Sequence, residues 1–248
     1  MIKFFRKIRQ RLLSENNFSK YLIYAVGEII LVVIGILIAI QLNEWRNDSI
    51  NTKQKQKVLL ALKTEFEVNL TRLDTVFYYQ EQSFLKFIKS KDLIDSINYV
   101  TDNNILKQNL AHGGFGYSYN PVNGALRSAI SSGDIHLIEN ERLIELLFSW
   151  EDVVKDSEEE IQRLRNYQSN SKPLREKYIR IADMYKQFFP GAKHSNHPSD
   201  YSALIKDVLL EDYVSYSFFN AFEYATELNI IKNNNLEILK LIDQELKK

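Results

Sequence analysis

Cysteine is absent from the 248 residues. That excludes disulfides, thiolate metal sites and cysteine nucleophiles. Proline occurs four times and glycine eight times. So few breakers point to a helical chain rather than one of many strands and turns. There is also no excess of charge: 32 basic residues balance 32 acidic ones. A neutral chain lacks the broad positive field that nucleic-acid binding uses, so no nucleic acid is expected as a partner. Recognisable chemistry is missing as well. No phosphate loop, dinucleotide fingerprint, nucleophile elbow or HExxH occurs, and Gly113-Gly114-Phe115-Gly116 does not complete a phosphate cradle. His194 and His197 have a possible metal spacing but lie beside a proline, with no supporting ligand pattern. No metal or other cofactor and no enzymatic activity is expected.

What the chain does have is one long apolar run. Tyr21–Leu42 contains a single charged side chain, Glu28. At about 1.5 Å per residue it reaches about 33 Å, enough to cross a bilayer core of about 30 Å. A buried core helix rarely stays apolar on every face for so long. A cleaved signal peptide is the other competitor, but the run is long for one and Ile-Gln-Leu-Asn-Glu-Trp lacks a small-x-small cleavage pattern. The run is therefore read as an uncleaved transmembrane helix over residues 21–42. Residues 1–20 carry Lys3, Arg6, Lys7, Arg9, Arg11 and Lys20 against Glu15 alone. The positive-inside rule then keeps the N-terminus in the cytoplasm and sends residues 43–248 outside. Phe4, Phe5, Ile8 and Leu12 share one face of the basic segment, which suits a helix lying on an anionic leaflet or a plain basic flank. About twenty residues on the cytoplasmic side leave no room for an output domain.

Glu28 shares a helical face with Ala25, Gly35 and Ala39. Gly35-x-x-x-Ala39 is a small-xxx-small pair that lets a second helix approach closely. Three readings stand: Glu28 sheltered in a helix–helix contact, Glu28 snorkelling to the membrane surface, or Glu28 in a proton relay. The first makes another membrane protein, or a second copy of this chain, the expected partner beside membrane lipid.

Beyond the run, Leu59, Leu62, Phe66, Leu70, Leu73, Phe77, Phe84 and Phe87 or Ile88 keep helical spacing and predict a long helix over 51–90, which can continue the membrane helix. Thr101 caps a short helix to about Leu110, and 125–131 forms another. Asn140 caps a helix starting at Glu141, and Pro173 starts the next. Helices over 201–209 and 212–246 follow, with Asn233-Asn234-Asn235 a candidate kink in the second. The expected fold is all-α: a transmembrane helix, then an up-and-down antiparallel bundle of about four long helices with short capping helices. Phe218, Phe219, Phe222 and Tyr224 are expected in its core.

Two local patterns point to function. The segment His112–Gly124 is the only glycine-rich one, and Phe115, Tyr117, Tyr119 and Asn120 make it the candidate loop for a partner or ligand, against a plain inter-helix turn. Asp48-Ser49-Ile50, Asp74-Thr75-Val76 and Asp95-Ser96-Ile97 resemble Asp-Ser/Thr-aliphatic sites glycosylated outside the inner membrane in some bacteria, which makes Ser49, Thr75 and Ser96 candidate O-glycosylation sites.

Three stretches, MIKFFRKIRQRLLSEN, FSKYLIYAVGEIILVVIGILIAIQLNEW and SAISSGDIHLIENERLIELLFSW, resemble a family of bacterial single-span membrane proteins known only as a domain of unknown function. Gly27, Glu28, Gly35, Ser132, Gly133, Leu137, Ile138 and Asn140 match its pattern. The resemblance is strong at the N-terminus, good at the Ser-Ser-Gly block and loose in the last helix. It implies an inner-membrane anchor and a helical outer domain, and it implies no activity. Residues and resemblance together give a non-enzymatic, membrane-anchored interaction protein, a scaffold or accessory subunit. The alternative is an extracytoplasmic ligand-sensing bundle that acts through a partner.

Overall fold

The computed structural model describes residues 18–95, 117–185, 189, 191–193 and 195–248. The basic segment up to residue 17, the short helix expected from Thr101, and Ser96, His112, Phe115 and His194 lie outside the described residues. Every regular element among those described is helical, so the fold is all-α. The chain divides into two units, Met1–Gln56 and Lys57–Lys248.

Among the described residues the first unit holds the opening part of helix α1, which runs without a break over Phe18–Asp95. Its apolar run contacts no core. From Ile29 to Ile40 every large aliphatic side chain is exposed, and none of the most apolar window is buried. An apolar surface on all sides of a helix is what a bilayer accepts and water does not. This helix is long and apolar enough to cross a membrane.

The second unit is built on the rest of α1, on α2 (Gly124–Ser132), α3 (Glu141–Asn170), α4 (Lys172–Tyr178), α5 (Ile181–Tyr185), α6 (Tyr201–Ile205) and α7 (Val208–Glu245). On α1, with Val58 and Glu65 buried beside them, the seam positions are Leu59, Leu62, Phe66, Asn69, Leu73, Val76, Gln80 and Ser83, all buried. They alternate by three and four, a coiled-coil seam that keeps one face turned inward. Leu70, Phe77 and Phe84, expected on that face, are only partly covered. Against the seam pack Leu143, Leu147, Trp150, Ile161 and Leu164 of α3, and Leu228, Ile231, Ile238 and Ile242 of α7. Phe66 meets Trp150 edge-to-face at 4.9 Å between ring centres. Burying each such side chain contributes about 1.5–3 kcal/mol before entropy is counted. A smaller core of Ile179, Tyr201, Leu204, Leu210, Tyr213 and Val214 joins α4, α6 and the start of α7.

Ion pairs give the helix directions. Lys63 binds Asp243 and Asp74 binds Lys232, both at 2.7 Å, so α1 and α7 are antiparallel. Arg142 pairs with Glu237 at 3.1 Å and Tyr167 lies 5.2 Å from Tyr216, so α3 and α7 are antiparallel too. Hence α1 and α3 are parallel. This corrects the up-and-down expectation: two parallel neighbours need a crossover, of which residues 117–123 are a described part. It also corrects the helix count, because among the described residues three helices are long and the one starting near Pro173 ends at Tyr178. Ile179 is extended there, and its neighbours bond to another segment through Asp200 N to Tyr178 O at 2.8 Å and Arg180 N to Ser199 Oγ at 2.9 Å.

Local chemistry sets the helix ends. Asn140 Oδ1 accepts the Leu143 N–H at 2.9 Å, the expected cap. Asp207 caps α7 by accepting from Leu209 N at 3.1 Å, so the break falls near Asp207, not after Leu209 as expected. No break occurs at Asn233–Asn235. Gly133 closes α2 with φ +78°, a left-handed conformation that glycine adopts without strain.

Candidate functional site

The crossover is held by polar side chains that interrupt the α1 seam. Glu65 accepts from Ala125 N at 2.6 Å and Leu126 N at 2.9 Å. A carboxylate thus neutralises the free N–H groups at the start of α2. One turn on, Asn69 donates to Val122 O and accepts from Val122 N, both at 2.7 Å, as a second strand would. Arg72 Nη1 donates to Asn120 O at 3.0 Å. From the other side Tyr224 OH donates to Tyr117 O at 2.8 Å and accepts from Tyr119 N at 3.1 Å. The Tyr119 phenol is 1% exposed. Burial raises its pKa, and burial likewise pushes Tyr224 up to about 12.

This places the residues of the candidate loop. Tyr119 is a core side chain. Tyr117 is 42% exposed and stacks on Tyr79 at 4.4 Å. Asn120 faces solvent, with its amide on Ser118 Oγ at 3.3 Å. Ser132, Gly133, Leu137, Ile138 and Asn140 come together in the turn between α2 and α3. There Ser132 Oγ donates to Asp134 Oδ2 at 2.8 Å, Ile138 is buried and Asn140 caps. This turn reverses the chain, and its bonds account for its polar members. On the apolar run, Ala25, Gly27 and Glu28 are partly covered while Gly35 and Ala39 are exposed. A Cβ added at Gly35 would meet nothing within 4 Å, so the surface there is open. Ser49 and Thr75 are exposed on α1, with Thr75 Oγ1 donating to Thr71 O at 3.0 Å.

Two hollows lie in the second unit. The larger, about 620 Å³, opens between α1 and α7. Phe77, Tyr78 and Phe84 wall it on one side, Ala221, Phe222 and Ala225 on the other, with Gln80 and Glu81 also lining it. The Asp74–Lys232 pair closes one end, with Lys232 Nζ 5.3 Å from the Phe77 ring centre. Phe222 and Phe219, expected in the core, are 54% and 56% exposed, while Tyr224 is buried as expected. The physical reason is that successive residues of α7 leave the narrow buried stripe within one turn. The smaller hollow, about 500 Å³, is lined by Tyr167, Leu174, Lys177, Asp207 and Tyr216 among others. Tyr178 OH donates to Asp207 at 2.6 Å, and that bond, helped by Leu209 N and Lys177, holds the Asp207 carboxyl below its usual pKa.

Sequence reasoning passed over Glu65, Asn69 and Gln80. The signal was present: each is a polar residue at a position that the three-four spacing turns inward. Among the described residues no group of three or more His, Cys, Asp or Glu side chains is arranged to hold a metal ion. His136 and His197 are both exposed.

No curated protein and no solved structure matches the chain. A family model does match, from Glu28 in the apolar run through the crossover and the Ser-Ser-Gly turn to Leu146 in α3. Residues 28–146 match the model of a family described as a family of unknown function (DUF6090), in keeping with the resemblance to a domain of unknown function.

Proposed function

We propose that this chain is a non-enzymatic, membrane-anchored interaction protein, an accessory subunit or scaffold of a bacterial inner membrane. Its helix crosses the bilayer once, the N-terminus is cytoplasmic and the residues after the run are on the outer side. The observation that carries the reading is the all-round exposure of Ile29–Ile40, which calls for lipid and for neighbouring helices as cover. Its partner, another membrane protein or a second copy, docks on the Ala25–Glu28–Gly35–Ala39 face.

The test is to purify the full chain from native membranes in mild detergent and identify by mass spectrometry what accompanies it. Gly35→Ile and Glu28→Leu are expected to remove the accompanying chain while α-helical content is kept. An unchanged complex in both variants would sink the docking face. Because the natural chain has no cysteine, Ser49→Cys gives a single reporter of topology. A membrane-impermeant maleimide should label it in spheroplasts, and labelling only after lysis would reverse the orientation.

A second reading, a ligand-sensing bundle that acts through a partner, is favoured by the 620 Å³ cleft between α1 and α7. A small molecule that raises the melting temperature of the full chain would support it.

A further inference from the structure

The cleft between α1 and α7 has the walls of a small-molecule site, and of the polar groups on its lining, Asp74, Gln80, Glu81 and Lys232, one is buried. Its volume of about 620 Å³ falls inside the range of roughly 300–1,000 Å³ of ligand sites. Ala221, fully covered, and Ala225, partly open, stand one helical turn apart and form a slot opposite Phe77, Tyr78 and Phe84, of which Phe84 already stacks on Phe218 at 4.7 Å. Flat aromatic walls facing small residues suit a planar ring, which gains by stacking and edge contacts. Tyr78 and Phe222 are more than half exposed at the same cleft.

The buried polar group is Gln80. It is 3% exposed and lines the cleft, yet its Oε1 accepts no hydrogen bond from the described residues. An acceptor shut away from water without a donor is destabilising, and a group that supplies the donor recovers that loss. The last torsion of a glutamine side chain is soft. Rotation about it presents the oxygen to whatever enters the cleft. Of the neighbouring charges, Asp74 and Lys232 are paired with each other and Glu81 is exposed.

We infer that the cleft binds a small planar aromatic molecule carrying one N–H or O–H donor, with the ring between the α1 aromatics and the Ala221–Ala225 slot and the donor on Gln80. The molecule is free rather than part of a protein: the Asp74–Lys232 pair closes one end, so the space is a recess and not a groove for an extended chain. This does not rest on the membrane-partner reading and holds or fails separately from it.

The probe is 5-fluoroindole, followed by fluorine NMR with the full chain in nanodiscs and empty nanodiscs as the blank. Its partner probe, 5-fluoro-1-methylindole, keeps the ring and removes the donor. The natural chain should bind 5-fluoroindole about tenfold more tightly than the methylated probe, the size of one buried hydrogen bond. Gln80→Leu should weaken 5-fluoroindole by a similar factor and leave the two probes nearly equal, since both changes delete the same contact. Ala225→Phe should abolish binding by filling the slot, with far-UV circular dichroism unchanged. Binding no greater than to empty nanodiscs overturns the inference. So does equal binding of the two probes by the natural chain, a comparison that needs no variant. A tryptophan-containing peptide that binds where 5-fluoroindole does not would overturn it in favour of a protein partner.

Discussion

Helix α1 contains two stretches of one secondary structure with opposite surface logic. From Ile29 to Ile40 every large aliphatic side chain is exposed, while from Leu59 to Ser83 one narrow seam is buried and the rest faces out. Both stretches are helical for the same local reason: neither contains proline, and glycine is confined to Gly27 and Gly35. What differs is the spacing of polar residues. The first stretch has none over a dozen positions, so no face is distinguished and the helix is apolar enough to cross a membrane. The second places Lys63, Thr64, Glu67, Thr71, Arg72, Asp74 and Thr75 outside the seam, so one apolar face is left to be covered by other helices. Helix formation and helix burial are therefore separate outcomes here, the first set by propensity and the second by pattern.

The largest expected break in that comparison is in the seam. Phe66→Ala removes the ring that meets Trp150 edge-to-face and should cost about 3–5 kcal/mol of stability in the second unit. Ile34→Ala in the exposed stretch should leave that stability unchanged. Denaturant unfolding followed by Trp150 fluorescence reads both, and equal losses would refute the contrast.

Next is the polar part of the seam. Glu65→Ala frees two N–H groups at the start of α2, each bonded now to a charged acceptor worth about 1.5–3 kcal/mol. A loss of about 2–4 kcal/mol is expected, with faster hydrogen exchange at Ala125 and Leu126 as its signature. A smaller change follows at the α3 cap. Asn140→Ala should cost about 1 kcal/mol, and Asn140→Asp should retain the cap.

The smallest effect concerns charge. Burial, and then Asp156, Glu160 and Glu223, raise the Glu227 carboxyl above its usual pKa. A carboxyl raised in the folded state binds its proton more tightly there than in the unfolded chain. Its ionised form therefore weakens the fold at neutral pH, and that loss is recovered as pH falls through the raised pKa towards the ordinary carboxylate value. Glu227→Gln should give a small stabilisation at pH 7 that vanishes below the ordinary carboxylate pKa. A variant less stable than the natural chain at pH 7 would contradict it.

Much of the fold was legible residue by residue. Asn140 as a cap, Pro173 at a helix start and the continuous helix through the membrane-length run all depend on neighbours a few positions away. The polar members of the seam were harder to read. Asn69 and Gln80 look like surface residues by type, and only their register with Leu62, Phe66 and Leu73 turns them inward. Tyr119 looked like a contact residue for a partner, yet its ring is enclosed by α1 and α7, which lie about fifty and a hundred positions away in the chain.

By itself the sequence determined an all-α chain, the apolar helix of membrane length, most helix starts and the absence of cysteine chemistry. These follow from composition and short-range spacing, which act through local sterics and hydrogen bonding. Only the tertiary structure decided that α1 and α3 run parallel, that the intervening segment returns along α1 on Glu65, Asn69 and Arg72, and that α1 and α7 leave a cleft at Gln80. Those features depend on which helix faces cover one another, a long-range choice made by packing the whole core and not by any one segment.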